Sequence, residues 1–293
     1  MKEYGLIIVD KPVGPTSHNV VSLVKKGTKV RKVGHAGTLD PRASGVLVLC
    51  LGAATRLSEY LSTSTKTYEA AIRFGSATRT YDAEGEITRQ TGVSPRLREI
   101  EAVLPSFLGE IDQVPPPFSA IKIRGKKAYE VARDGHEPDL SPRKVTVHRL
   151  EVLAYDPPDL GLRVVCSAGT YIRSLAHDLG VKLSSGAHLA GLRRSQAGPF
   201  TLEDAIPLPK LEVAFLTGKW EQYVRQAADA LPEFPSIPVD AEGQERLRFG
   251  HRIPAQPGSQ GMAKAVNQEG ELIAILEAVE GGAEWHPRKV FLG

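Results

Sequence analysis

Asp40 is the residue of this chain whose surroundings best suit chemistry. It stands at the middle of Gly34–Leu47, which reads GHAGTLDPRASGVL. Pro41 pushes Asp40 out of the α region into an extended or turn conformation. Gly34, Gly37 and Gly45 leave room for sharp bends around it. The VLVLCL run that follows reads as a short buried strand. A loop residue beside a buried strand is a common way to present a reactive group, although an Asp-Pro pair by itself is more often only a turn.

Further elements must position this carboxylate. Ser17, after Gly-Pro-Thr, reads as the N-cap of a helix with Val20, Val21 and Val24 on its inner face, ending near Gly27. Tyr68, Ala70, Ile72 and Phe74 alternate with other residues at the period of a strand, so Tyr68 opens its apolar face. Ser94 and Pro95 read as cap and first position of a helix carrying Leu97, Ile100, Val103, Leu104 and Phe107. The Pro115–Pro117 run is extended and no helix enters it. A short helix over Lys127–Arg133 is expected to stop at Gly135, with strands at Val145–Tyr155 and Leu162–Cys166. Thr170 caps a helix over Tyr171–Leu179 that Gly180 ends. Arg173 then lies in the first turn, where the helix dipole favours anions, so another group must fix it, and a carboxylate is the natural one.

At 293 residues the chain suits one large core plus a smaller appendage. Strands and helices mix without a βαβ period, which predicts an α+β domain around a mixed sheet. The segment LPEFPSIPVD, beginning at Leu231, reads as a boundary, dividing 1–230 from a small β domain over 231–293. Strands are expected there at Ala263–Val266, Leu272–Leu276 and Val290–Leu292. No basic n-region precedes a long apolar segment, and the longest apolar run is far too short to span a bilayer; the expectation is a cytoplasmic protein with no membrane partner. Cys50 and Cys166 lie inside apolar runs without CxxC or paired-histidine spacing, so both read as buried thiols, with no metal site.

Net charge is +3, distributed unevenly: residues 1–210 carry 29 Lys or Arg against 22 Asp or Glu, and 211–293 carry 8 against 12. The basic part holds Asp40. Clusters at Lys25, Lys26, Lys29, Arg31 and Lys32, at Lys122, Arg124, Lys126 and Lys127, and at Arg193 and Arg194 suit a phosphate backbone, although each alone could be a solvated face.

Beyond these local signals, VGHAGTLDPRASGVL, preceded by LIIVDKPVGPTSH, resembles the bacterial tRNA pseudouridine synthases that modify the T-loop uridine at position 55. The likeness continues through KTYEAAIRFGSATRTYDAEGEI, VPPPFSAIKIRGKKAYEVARDG, CSAGTYIRSLAHDLG and AHLAGLRRS. Several separated blocks in order make the signal specific. The resemblance implies the pseudouridine synthase fold, with a mixed, mainly antiparallel central sheet and a PUA-like C-terminal domain whose acidic balance argues against strong phosphate binding. It implies a tRNA T-arm stem-loop as partner, a monomer acting with no cofactor, no metal and no obligatory protein or guide RNA, and a target base extruded from its stack.

By the same resemblance Asp40 takes the nucleophilic or electrostatic role, attacking C1′ or promoting a glycal route. Arg173 keeps it anionic, since an arginine within about 4–6 Å lowers a carboxylate pKa by roughly 1–3 units. Tyr68 and Tyr171 stack on the uracil, Tyr68 is also a candidate for taking the C5 proton, His35 holds the everted nucleotide, and Leu192 lines an apolar wall. Lys11, Arg56 and Asp82 match family positions as phosphate contacts or scaffolding. Two departures are visible. Phe118 stands where a tyrosine is also common, and Arg56 where lysine occurs.

Other classes fit less well. A glycoside hydrolase needs two carboxylates flanking the bond, and this motif supplies one. An RNA-binding module without Asp40 chemistry and a guide-RNA-dependent synthase remain as rivals.

Overall fold

The computed structural model describes residues 4–119, 121–123, 125–134, 136 and 138–292. The chain divides into two compact units. The first comprises residues 1–41, 45–63 and 196–293; the second comprises 42–44 and 64–195.

In the first unit, strand Gly5–Lys11 pairs antiparallel with Ala43–Leu51 and parallel with Ile206–Pro207. Val33–His35 adds antiparallel to Ala43–Leu51. All but one residue of Ala43–Leu51 is buried, which explains its continuous apolar run: a strand covered on both faces has no polar face to alternate with. Helix Ser17–Thr28 buries Val20, Val21 and Val24 as its spacing predicts. Its N-cap, however, is Thr16 rather than Ser17. Thr16 is extended, and its hydroxyl accepts from the Asn19 backbone N–H. The helix runs past Gly27 to Thr28 and closes at Lys29 in the left-handed region, φ 61°.

The C-terminal part of this unit is a five-stranded sheet ordered Ser236–Pro238, Met262–Val266, Leu272–Ala278, Glu284–Val290, Ile253–Pro254. Its last long strand ends at Val290, where the sequence had suggested a strand beginning. Leu272, Ile275 and Phe291 share one apolar core with Leu6, Leu57 and Leu61. The proline-rich boundary is packed down: Leu231 is fully buried, Phe234 meets Tyr60 edge-on at 5.9 Å, and the buried Lys264 ammonium donates to the carbonyls of Ala228 and Leu231.

The second unit carries strands in the order Ala187–Ala197, Lys66–Phe74, Asp159–Cys166, Arg143–Asp156, Gly109–Gln113; the last three junctions are antiparallel. Ala70, Ile72 and Phe74 form its core with Ile100, Val164, Ile172 and Leu175. The first helix over this core spans Leu97–Val103 and is capped at Arg96, whose backbone N–H donates to the Glu99 carboxylate, not at Ser94. The next spans Ala128–Arg133; its expected stop, Gly135, lies outside the described residues. Both cysteines are buried, and burial pushes Cys50 up to about 12 and Cys166 to about 11, so neither is a nucleophile at neutral pH.

Helix Ile172–Lys182 corrects two expectations. Tyr171 is the N-cap, because the Thr170 hydroxyl donates back to Ser167 O. Gly180 does not end the helix but lies inside it. A Cβ there would fall 2.1 Å from Ala187 N and 2.5 Å from Gly186 C, so glycine serves close packing against backbone, not termination. Gly180→Ala is expected to destabilise the fold by about 1–3 kcal/mol, the usual cost of overpacking, measured by denaturant unfolding. On the same helix, burial pushes Asp178 up to about 6. Its folded pKa exceeds the unfolded value near 4, so the stability tied to its neutral form is full below about pH 4 and lost as pH rises through 6. Asp178→Asn should therefore leave the melting temperature nearly unchanged at pH 4 and raise it by a few degrees at pH 8, read by thermal melts.

Candidate active site

Asp40 lies in irregular chain between the strands Val33–His35 and Ala43–Leu51, and is exposed. Its two neighbours are tethered. The buried Ser17 hydroxyl accepts from Leu39 N at 2.8 Å and donates to Leu39 O at 2.9 Å. On the other side Pro41 O accepts from Gly14 N at 2.8 Å. The register Lys11↔Gly45 between antiparallel strands explains why both tethers come from the segment after Lys11: the end of one strand meets the beginning of the other. Gly37 and Gly45, both at φ 103°, make the bends on either side, in a region where a side chain would be strained. Ser17 was thus misread as a cap; its neighbour caps the helix and leaves Ser17 to clamp the loop.

The other expected residues of the first unit fall nearby in sequence or serve other ends. His35 is half-buried at the end of its short strand. The Lys11 ammonium is buried and donates to Pro12 O and Pro15 O at 2.8 and 2.9 Å, which holds the turn that supplies Gly14. These two contacts are scaffolding for that turn. Arg56 donates through Nη1 to Val290 O on the C-terminal sheet.

The second unit brings Arg173 and Asp82 together. The guanidinium is 9% exposed and its Nη1 lies 3.4 Å from Asp82 Oδ2, with Phe118 O at 3.2 Å and Thr80 O at 3.4 Å as further acceptors. The sequence argument that a carboxylate must fix Arg173 against the helix dipole is met here by Asp82. Removing one partner of such a half-buried pair strands the other and costs about 3–5 kcal/mol where burial is full. Asp82 is itself held. Its Oδ1 accepts from Thr80 Oγ1 and Glu84 N, and Thr78 Oγ1 donates to its backbone carbonyl. Tyr81, at φ 64°, turns the chain there and stacks on His177 with ring centroids 3.8 Å apart. Since His177 is one turn after Arg173, one helix grips this segment twice.

Tyr68 and Leu192 pack against the same apolar cluster, each partly exposed. Tyr171 is fixed through its backbone by Gln113, whose side-chain amide accepts from Tyr171 N at 2.7 Å and donates to Tyr171 O at 3.1 Å. Phe118 lacks a hydroxyl but offers its ring face to Arg79 at 5.9 Å, a contact that needs none. Sequence reasoning missed Gln113, for no local signal marks a lone strand glutamine. It also grouped Arg194 with Arg193 as a basic face. Neighbouring strand residues point to opposite sides, and Arg194 is buried, 1% exposed. Beside it, burial and the Arg194 charge push Lys66 down to about 8. Arg124 of the second basic cluster lies outside the described residues.

The geometry amounts to an accessible carboxylate on a stiffened loop in one unit. The other unit carries a buried guanidinium with its own counter-charge, two part-exposed tyrosines and an apolar wall. Residues 25–172 match the TruB family pseudouridylate synthase N-terminal domain, and residues 173–231 match the tRNA pseudouridylate synthase B C-terminal domain. The chain is 43% identical over 289 residues to tRNA pseudouridine synthase B of Dehalococcoides mccartyi, covering 98% of this chain and 96% of that one. It is 44% identical over 281 residues to the protein of the same name from Solibacter usitatus, covering 94% and 96%. Among solved structures, a chain in a Cbf5–Nop10–Gar1 complex superposes with a TM-score of 0.76 at 29% identity, covering 99% of this chain and 85% of that one. In domain content and along nearly its whole length, the chain belongs to the TruB family of pseudouridylate synthases.

Proposed function

We propose that this enzyme, a tRNA uridine-to-pseudouridine isomerase, acts on uridine 55 of the T-loop, with Asp40 as the reacting carboxylate. The observation that carries the reading is the loop around Asp40, tethered at Leu39 and Pro41 while the carboxylate between them stays accessible. A reacting carboxylate needs its neighbours fixed and its own approach open, and Asp40 is exposed between two tethered residues. Placement to a fraction of an ångström is worth orders of magnitude in rate.

In this reading the target nucleotide leaves its stack and the N-glycosidic bond breaks with help from Asp40. The base turns and rejoins through C5, with the C5 proton transferred away and no net change in composition. Arg173 keeps Asp40 anionic in the complex. Tyr68 and Tyr171 provide faces for the uracil, Leu192 an apolar wall, and His35 a hold on the everted nucleotide. Residues 231–293 form the PUA-like module. The enzyme works alone in the cytoplasm: the full-length relatives cited are tRNA pseudouridine synthases B, whereas the Cbf5 neighbour comes from a complex with Nop10 and Gar1.

Asp40→Asn is expected to bind a T-arm stem-loop within about threefold of wild type and to form no pseudouridine; activity in this variant would overturn the assignment. Purified protein should convert the uridine of a bare T-arm stem-loop in the presence of a chelator, with no added protein or guide RNA, as read by chemical mapping of pseudouridine. Ser17→Ala, which removes both Leu39 bonds, should slow single-turnover conversion by about tenfold or more while leaving RNA affinity unchanged.

A further inference from the structure

Within the first unit a cavity of about 430 Å³ is lined by Lys25, Arg31, Lys32, His35, Thr55 and Ser58, among others. The chain assembles it locally. Lys25 lies in the last turn of the Ser17–Thr28 helix, and Lys29, left-handed at φ 61°, returns its N–H to Lys25 O and reverses the chain. Arg31 and Lys32 thereby come back alongside Lys25. Gly52 N then binds Lys32 O at 2.8 Å, which ties this segment to the turn carrying Thr55 and Ser58.

The charge is unbalanced by construction. Lys25, Arg31 and Lys32 are exposed, and among the described residues none of the three forms an ion pair. The acid next to the rim in sequence, Glu59, is engaged elsewhere, with its carboxylate 2.6 Å from the Lys289 ammonium, which holds it below the usual carboxylate range. Like charges gathered in a concavity repel one another and focus a positive field. That arrangement is stable when an anion fills it. The lining offers ammonium and guanidinium donors, the Thr55 and Ser58 hydroxyls giving their protons to Gly52 O and Thr55 O, and, apart from the His35 ring, no aromatic face. Such a set reads phosphate and not base.

We propose that this cavity is a second RNA contact, taking backbone phosphates that flank the target uridine. The inference rests on the tRNA reading above, in which His35 holds the everted nucleotide, because His35 forms one wall of the cavity. His35 and the three cations line the same cavity, so a strand held at His35 lies beside them.

The test is the salt dependence of tRNA binding and the steady-state kinetics of K25Q/R31Q/K32Q, with K25R/R31K/K32R as the charge-conserving control. The glutamine variant should raise KM for tRNA about tenfold or more at physiological salt. It should flatten the plot of log K against log salt by roughly 2, since each phosphate contact contributes about 0.7–0.9. The single-turnover rate at saturating tRNA should stay at the wild-type value, and the control should keep the wild-type slope. An unchanged slope and KM in the glutamine variant would overturn the proposal. Failure of the tRNA reading is distinguishable, because wild-type protein would then form no pseudouridine, while the binding slope of the two variants still decides the cavity.

Discussion

The double hydrogen bond between Ser17 and the backbone of Leu39 fixes the loop that carries Asp40, the carboxylate proposed to react. A carboxylate on a surface loop would sample many positions, and every ångström of that freedom lowers the rate. One hydroxyl, 2% exposed, satisfies both the N–H and the C=O of the preceding residue. Gly14 holds the following one, and Gly14 is in turn positioned by the buried Lys11 ammonium, which gathers the carbonyls of Pro12 and Pro15. The sheet supplies the base for this device, since the Lys11↔Gly45 register sets the two segments side by side.

The second unit shows the complementary problem, the holding of a cation in a half-dry place. A guanidinium buried without counter-charge would cost far more than a fold can bear. Arg173 is therefore paired with Asp82 and given two carbonyls. Asp82 is held by Thr80 and by the Tyr81 turn, over which His177 stacks. The helix that carries Arg173 is itself placed by Gln113, at its start, and by the bare Gly180 Cα, where it approaches the backbone of Ala187. Tyr171, at the start of that helix, gains its position from its backbone bonds to Gln113.

The C-terminal sheet is built into the first unit instead of hanging from a tether. Lys289 reaches Glu59 and lies 5.7 Å above the Tyr60 ring, Arg56 binds Val290 O, and Phe291 enters the shared core. Lys289, and Arg56 from the other side, are thus spent on this attachment. Among the described residues, the cations around Lys25 take no part in it.

Much of this was legible in the sequence, because the signals were local. The apolar run after Gly45, the alternation from Tyr68 to Phe74 and the valine spacing in the first helix each follow from backbone periodicity, and the order of the motif blocks gave the family. The need of Arg173 for a carboxylate also followed from the helix dipole alone. What the sequence could not assign were contacts made between residues far apart in the chain. Ser17 looks like a cap until Leu39, 22 residues on, claims its hydroxyl. Gly180 looks like a stop until the backbone at Ala187 is seen against it, and Arg194 looks like half of a basic pair until the strand turns it inward. In each case one residue type suits two local roles, and only packing against a distant segment decides which role is left open.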